Sequence, residues 1–204
     1  EDERLCRFLI EDYEWTWRGV DQTTARRFDG VDFHILGGRR NERQLALLLD
    51  LIDGAERRIF VESPYLGRPF SEALRRASLR GVEVIVVTPE RHNWKTLQDH
   101  ILWKAATSSI ELRLYPHRMT HMKAMSIDDR WLVLGSSNFE LWSYRFQQEY
   151  VMFVEEPALS AQFKERIEEP DLACSPRLQP TIGALAGRLT DLRLEWLERL
   201  TLKV

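Results

Sequence analysis

Apolar positions along the chain alternate between the spacing of strands and the spacing of helices. Short apolar runs bounded by glycine, proline or charged residues predict strands within 31–36, 57–63, 81–89, 110–116 and 147–155. Apolar residues three and four apart predict helices within 1–17, 45–52, 70–77, 93–106 and 158–168, with Gly54 as a C-terminal cap. Residues 21–30 are polar and predict a connector.

The order of these elements predicts an α/β fold. Strands that alternate with helices favour right-handed crossovers and a largely parallel sheet. Residues 121–128 and 131–134 break this order, because they flank Asp129-Arg130 and predict a tight hairpin. The expected architecture is therefore a mixed β-sheet sandwiched between helices on both faces.

The two ends of the chain differ from its centre. The first helix carries an apolar stripe of Leu5, Phe8, Leu9, Tyr13 and Trp17. We interpret residues 1–30 as a helix and connector that form the tail of a missing N-terminal half, and residues 31–169 as the main domain.

Residues 170–204 predict a linker punctuated by Pro170, Pro176 and Pro180, followed by an amphipathic helix. That helix has an apolar stripe of Leu185, Leu189, Leu192, Trp196 and Leu200 beside Arg188, Arg193, Arg199 and Lys203. Docking on a protein domain is favoured for it over lying on a membrane surface.

Composition is that of an ordinary globular domain. The 204 residues are 44% hydrophobic and 30% charged, with a formal net charge of −3. This mild acidity disfavours nucleic acid as a partner. Cys6 and Cys174 are distant in sequence and favour a reduced, disulfide-free protein. No run approaches the ~20 apolar residues of a membrane span.

The hairpin segment carries the candidate chemistry. His121 and Lys123 are two apart and would share a strand face, while Asp128 falls on the other face and would secure the hairpin or a neighbouring element. Histidine can act as nucleophile, base or acid near neutral pH, and lysine suits a phosphate oxygen. The loop 135–138 follows with hydroxyl and amide donors that would stabilise developing charge. The pattern predicts a phosphodiester site that requires no metal or other cofactor.

These residues fit the spacing H-x-K-x4-D-x6-G-S-x-N, which resembles the HKD motif of the phospholipase D superfamily. The matching positions are His121, Lys123, Asp128, Gly135, Ser136 and Asn138. The segments "VESPYLGRPFSEALRRASLRGVEVIVVTPE" and "GSSNFELWSYRFQQEY" are similar to the cardiolipin synthase branch, over roughly residues 33–175. The chain departs from that branch at Trp142, where Arg is usual, and at Gln148, where Asn is usual.

The resemblance implies a phospholipase D-type fold and a phosphohistidine intermediate. It implies catalytic roles for His121, Lys123 and Asn138, with Glu149 as the acid that orients an imidazole. It also implies a second HKD motif, from another half of the full protein or from a homodimer, because this chain contains only one. Family analogy makes His121 more often the general acid than the nucleophile, and the sequence leaves both roles open.

Other polar and aromatic positions have simpler interpretations. A zinc pair of His117 and His121 is disfavoured by Pro116 and the strand pattern, and His34 is expected to be structural. His92 is assigned to the loop rather than the site by a narrow margin. Tyr65, Ser137 and Trp142 are candidate substrate-lining residues. The arginine pairs at 39–40, 57–58 and 75–76 are expected on solvated faces.

Three functions are compatible with these patterns. The first is a phosphatidyltransferase or phospholipase that acts on phospholipids at or near a membrane surface. The second is a nuclease or other phosphodiesterase of the same superfamily, and the third is a non-catalytic interaction half. Localisation is expected to be cytoplasmic or peripheral at a membrane, with any anchor outside this sequence.

Overall fold

A nine-stranded mixed sheet forms the centre of the computed structural model, which describes residues 2–38, 41–116 and 118–201. Its strand order is β1-β2-β8-β7-β6-β3-β4-β5-β9. The strands are β1 (Thr24–Phe28), β2 (Val31–Gly37), β3 (Arg58–Glu62), β4 (Glu83–Pro89), β5 (Glu111–Tyr115), β6 (Ala124–Ile127), β7 (Trp131–Gly135), β8 (Gln148–Val154) and β9 (Arg177–Leu178). The helices are α1 (Glu3–Trp17), α2 (Glu42–Asp53), α3 (Phe70–Leu79), α4 (Lys95–Ala106), α5 (Leu141–Phe146), α6 (Pro157–Phe163), α7 (Glu169–Cys174) and α8 (Ala184–Thr201).

The predicted mixed sheet with helices on both faces is confirmed, but it is less parallel than expected. Among the described strands, the β3–β4 and β4–β5 pairs are parallel, and the remaining neighbours are antiparallel. The helical crossovers are confined to the segment from β3 to β5. Hairpins and long returns supply the other pairings, which is why the alternating pattern overestimated the parallel content.

Alternate residues of the central strands enter two apolar cores. On one face, Ile59, Val61 and Met125 pack with residues of α2, α3 and α4. On the other face, Phe60, Ala124 and neighbouring strand residues pack under α6 and α7. This two-sided burial explains the continuous apolar runs of β3 and β4.

The N-terminal helix packs on this same domain. Phe8 of α1 is buried against Phe28 and Phe33, with ring centroids 5.7 and 6.0 Å away. The predicted stripe is only half buried, because Tyr13 and Trp17 are exposed. The predicted polar connector at 21–30 is wrong in part: Thr24–Phe28 forms β1, an edge strand paired with β2. A charged edge strand has little apolar periodicity, because one face and one edge meet water.

The prediction that Pro170 begins a linker is also wrong. Residues 157–174 are continuously helical, and a π-helical turn at Lys164–Glu168 lies just before Pro170 in α7. Proline lacks an N–H and its ring collides with the carbonyl four residues earlier in a regular helix, and a wider turn relieves both effects. The irregular segment begins only after Cys174.

The C-terminal helix α8 docks on α4, as the favoured interpretation predicted, but through another face. Its contact face contains Gly187, Asp191 and Leu194, and a Cβ atom at Gly187 would lie 2.1 Å from the Trp103 ring. The predicted apolar stripe stays exposed, from Leu200 at 45% to Leu185 at 74%. None of the described helices is long and apolar enough to cross a membrane.

Candidate active site

The candidate site lies at one edge of the sheet, where several strand ends meet. Strands β3, β4 and β7 end there, and the antiparallel strands β6, beside β3 and β7, and β8, beside β7, begin there. Loops at the carboxyl ends of parallel strands commonly form ligand sites. The motif residues at 121–123 and 135–138 therefore meet the loops that follow β3 and β4.

Asp128 fixes the hairpin at the opposite end of β6. Asp128 and Asp129 both have positive φ, 55° and 56°, as a tight turn of this hand requires. The Asp128 carboxylate accepts hydrogen bonds from the backbone N–H groups of Glu56, Arg57 and Arg58 at 2.8–2.9 Å. Burial acts to raise the Asp128 pKa, but these three donors lower it overall. Asp128 thus ties the turn to the start of β3, far from any ligand.

His121 and Lys123 lie together just before β6, rather than on it. The strand begins at Ala124, so the predicted strand start at 121 is three residues too early. Lys123 Nζ lies 3.1 Å from both ring nitrogens of His121 and 3.0 Å from its carbonyl oxygen. His121 is exposed and Lys123 is 7% exposed. One phosphate group can therefore reach both side chains.

The buried position of Lys123 alters its acid–base behaviour. Burial lowers the pKa of Lys123, and the nearby Glu149 carboxylate opposes that shift without cancelling it. The ammonium group is a donor only, so its protons are available to a ring nitrogen, a carbonyl or an anionic ligand. A phosphate would add to the counter-charge that Glu149 provides to Lys123.

Gly135 allows the motif loop to pass close to β8. A Cβ atom at this position would lie 2.1 Å from the Tyr150 carbonyl oxygen. The adjacent Ser136 donates its N–H to that carbonyl at 3.0 Å. The glycine of the motif is therefore required by this backbone contact.

Ser136 links the motif loop to Glu149. Its hydroxyl donates to the Glu149 carboxylate and accepts the N–H of Tyr150 at 2.9 Å. Among the described residues, no hydrogen bond joins Glu149 to His121. The structure thus places Glu149 beside Ser136 and Lys123, and its orienting role towards an imidazole stays a prediction.

Asn138 presents an amide with one unused atom. Its Nδ2 lies 3.4 Å from Ser143 Oγ, which in turn contacts Glu140 Oε1 at 2.7 Å. Asn138 Oδ1 is buried and has no hydrogen-bond partner within the described structure. Buried amide oxygens are normally paired, so this atom is available to a donor on a ligand or to a water molecule.

The three candidate substrate-lining residues have different environments. Ser137 is only 2% exposed, so its hydroxyl faces the interior and not the ligand surface, in contrast to the expectation. Trp142 is 41% exposed beside the motif loop. Tyr65 is half-buried and donates its hydroxyl to Asn93 Oδ1 at 2.9 Å. A backbone bridge between Leu66 and Phe139 brings the Tyr65 loop against the Asn138 loop.

His92 holds the Tyr65 loop in place. Its Nε2 donates to the Pro64 carbonyl at 2.5 Å, and its Nδ1 accepts the Trp94 N–H at 2.9 Å. Burial lowers the pKa of His92, which favours the neutral ring that this pairing needs. The predicted loop role of His92 agrees with these contacts.

The remaining predictions concern histidines and arginines outside the motif. His34 is 7% exposed and packs edge-on against Phe153. Arg58 is not on a solvated face as expected, because its side chain is 18% exposed and pairs with the buried Glu168 at 2.5 Å. His117 and the Arg39-Arg40 pair lie outside the described residues. In the part of the chain described, no cluster of three His, Cys, Asp or Glu side chains could hold a metal ion.

Glu62 is a residue near the site that sequence reasoning missed. It is fully buried at the end of β3 and accepts a hydrogen bond from Thr120, the residue before His121, at 2.5 Å. Burial raises its pKa to about 7; the Thr120 hydrogen bond opposes this shift and Asp171 adds to it. An acid at the end of the buried run "RIFVE" was the available signal.

Comparisons with known proteins agree with this geometry. The family model described as "Cardiolipin synthase, PLD-like domain" matches residues 48–170. Cardiolipin synthase A of Pseudomonas entomophila is 27% identical over 125 residues, which cover 59% of this chain and 26% of that protein. Cardiolipin synthase of Staphylococcus aureus is 25% identical over 137 residues, which cover 64% and 27%. The chain thus spans about a quarter of the length of these relatives.

Solved structures share the fold. The phospholipase D family member Nuc from Salmonella typhimurium has a TM-score of 0.63 and 24% identity, over 72% of this chain and 98% of that one. Phosphatidylserine synthase from Haemophilus influenzae has a TM-score of 0.59 and 13% identity, over 87% and 48%. With the family match covering more than half of its residues, the chain belongs to the phospholipase D-like domain family of cardiolipin synthases.

Proposed function

We propose that this chain carries one of two active-site motifs of an enzyme that transfers or hydrolyses the phosphodiester of a phospholipid. The observation that supports it most directly is the placement of Lys123 Nζ 3.1 Å from the His121 ring, inside the complete family motif. The cardiolipin synthases among its relatives favour phospholipid over other phosphodiesters.

The reaction proceeds in two displacements. An imidazole nitrogen attacks phosphorus and forms a P–N bond, while the P–O bond to the leaving alcohol breaks and its electron pair stays on that oxygen. A protonated imidazole from the other of the two motifs gives the leaving oxygen its proton. An acceptor alcohol or water then loses a proton to that imidazole and attacks phosphorus, which returns the P–N electron pair to the first ring.

His121 would serve as one of these two imidazoles, and family analogy favours the general acid. Lys123 and the Asn138 amide would hold the phosphoryl oxygens as negative charge develops. The second imidazole must come from another HKD motif, either in the same full protein or in a second copy. Glu149 would sustain the charge on Lys123 and, as the family pattern implies, orient an imidazole.

The substrate must reach this site from a lipid surface. We place the working protein peripherally at a membrane, where phospholipid headgroups are accessible. A nuclease remains the alternative within the superfamily, but the formal net charge of −3 offers no general attraction for a polyanion.

The test uses the natural protein with phosphatidylglycerol liposomes, with and without glycerol. We expect new phospholipid or phosphatidic acid to form, and the product to disappear in His121→Ala. Arg118→Ala, which removes an exposed cation from the same loop, is the matched control and should retain activity.

The outcomes separate the alternatives. A dependence of the product on glycerol would distinguish transfer from hydrolysis. Lipid turnover that persists in His121→Ala would contradict the proposal. Cleavage of single-stranded DNA in place of lipid, lost in the same variant, would establish the nuclease alternative.

A further inference from the structure

A small apolar crevice of about 90 Å³ opens beside the motif loop. Its walls come from three separate parts of the chain: α4 and the loop before it, the start of α5, and α8. Arg68 and Glu140 also line it, and its apolar side chains are those of Trp94, Leu97, Leu141, Trp142, Leu194 and Leu197. Gly67 lies at its base, where a Cβ atom would approach Glu140 Cβ to 3.1 Å and Leu97 Cδ1 to 3.4 Å.

The crevice lies beside the loops that form the candidate active site. Trp94, on one wall, lies 6.4 Å from the Tyr65 ring, centroid to centroid. The Gly67 N–H donates to the Phe139 carbonyl at 2.9 Å, which joins the base of the crevice to the residue after Asn138. Glu140 reaches Asn138 through the Ser143 hydroxyl. A ligand held by Asn138 and Lys123 would therefore extend naturally between the two tryptophans.

The polar groups around the crevice are engaged with the protein. The Glu140 carboxylate accepts the N–H groups of Trp142 and Ser143 at 2.6 and 2.9 Å, where it caps α5. Arg68 pairs with Glu72 at 3.0 Å. The exposed lining is consequently mostly hydrocarbon and indole, which suits an alkyl chain better than a sugar or a charged group.

We propose that this crevice binds the part of a phospholipid acyl chain nearest the glycerol, while the phosphodiester of the same molecule lies at His121, Lys123 and Asn138. This inference rests on the proposed phospholipid substrate and specifies how it is selected. The crevice holds only the first few methylenes, and the rest of the acyl chain extends beyond it.

Binding of an acyl chain in the crevice lets the enzyme discriminate between substrates. Each methylene removed from water contributes roughly a fourfold gain in binding. An enzyme with such a crevice distinguishes a lipid from a chainless phosphodiester without any contact to the headgroup. Helix α8 then has a role in recognition, since Leu194 and Leu197 form the wall opposite the motif loop.

The experiment measures kcat/KM for monomeric phosphatidylglycerols with acyl chains of two to eight carbons, each below its critical micelle concentration. Glycerophosphoglycerol, which has no acyl chain, reports the phosphodiester chemistry by itself. We expect kcat/KM of the wild type to rise roughly fourfold per added methylene over the first few carbons and then to level off. In Leu197→Asp, this rise should shrink to less than twofold in total.

Leu189→Asp is the matched control, because Leu189 lies on the same helix with a similar exposure, 46% against 41% for Leu197, and outside the crevice. It should keep the wild-type chain-length profile. Trp94→Ala is a second lining variant, exposed at 42%, in case the aspartate disturbs the docking of α8.

Each result has a distinct meaning. Loss of the chain-length profile in Leu197→Asp and Trp94→Ala, but not in Leu189→Asp, supports the acyl-chain site. A flat wild-type profile, or an unchanged profile in both lining variants, overturns the site while His121-dependent turnover leaves the proposed function in place. If none of the phosphodiesters is turned over, or if only oligonucleotides are turned over in a His121-dependent manner, the proposed function and the site are both overturned.

Discussion

The buried Glu62 carboxyl group accepts a hydrogen bond from Thr120, so the loop that carries His121 is attached to the end of β3. The second oxygen of Glu62 has no hydrogen-bond partner in the described structure, and Asp171 faces the same group. A carboxyl group in these surroundings retains its proton far above the usual range. The attachment is therefore sensitive to pH.

Glu62 should make the protein less stable as the pH rises from 4.5 to about 7. In the unfolded chain its carboxyl ionises near 4.5, whereas burial raises the native pKa to about 7. The native state thus holds the extra proton between these values, so the stabilisation is complete below 4.5 and lost above 7. The effect is on the order of 3 kcal/mol.

Glu62→Gln should remove this part of the pH dependence, because the amide does not ionise. Urea unfolding at pH 5 and pH 8 measures the change in the free energy of unfolding between these pH values. Glu90→Gln, at an exposed position, is the control. If Glu62→Gln and the wild type lose the same stability between these two values, the assigned pKa is wrong.

Asp128→Ala should destabilise the domain by about 2–3 kcal/mol. It leaves the N–H groups of Glu56, Arg57 and Arg58 without their acceptor and places alanine at a φ of 55°. Asp128→Asn should cost less, because asparagine tolerates this φ and keeps one acceptor oxygen. The denaturant midpoints of the two variants show which of them is less stable. Equal midpoints for Asp128→Ala and the wild type would contradict the structural role.

Gly135→Ala should destabilise the protein on the order of 3 kcal/mol, because the added Cβ meets the backbone of Tyr150 at 2.1 Å. β7 and β8 would have to separate at the point where they position Ser136 and Glu149. Gly183→Ala is the control, since nothing lies within 4 Å of its Cβ, and a change within about 0.5 kcal/mol is expected. Thermal unfolding of both variants measures the difference, and similar values would count against this contact.

Asp191→Ala should loosen α8. The Asp191 carboxylate accepts from Lys104 Nζ at 2.8 Å and lies 3.2 Å from His100 Nδ1, and both partners are buried. Its removal leaves Lys104 with Glu72 alone, which should cost about 3 kcal/mol. Limited proteolysis should then cleave residues 175–201 earlier than in the wild type. Unchanged proteolysis would show that apolar packing alone holds the helix.

A paired variant tests the electrostatic origin of that effect. Lys104→Met combined with Asp191→Leu removes both charges together, and it should be less destabilising than Asp191→Ala. Arg193→Ala, on an exposed position of α8, should have no effect on proteolysis.

Local patterns were sufficient for most elements and for the motif. The apolar runs of β3 and β4 and the helical stripe of α2 each depend on neighbours within a few residues, and all three were predicted. The spacing of His121, Lys123 and Asn138 likewise predicts that these residues share one site. Such features follow from backbone geometry, in which residues two or four apart share a face.

Features that depend on distant partners were not predictable. β1 is polar and is a strand only because β2 lies beside it. Arg58 is half-buried because it forms an ion pair with Glu168, which is far along the chain. Pro170 lies in a helix because a π-helical turn precedes it. In each case the deciding energy comes from a contact or a backbone adjustment that the local sequence pattern does not record.

The sequence by itself determined the fold family, the central strands and helices, and the residues of the phosphodiester motif, because these follow from short-range spacing. Only the tertiary structure decided which face of α8 is buried. Asp191 and Leu194 turn inward to Lys104 and the crevice, while the more apolar stripe faces outward. The inward face combines the ion pair of Asp191 with Lys104, the close contact of Gly187 with Trp103 and the buried Leu194, and this orientation places Leu197 in the crevice beside the motif loop.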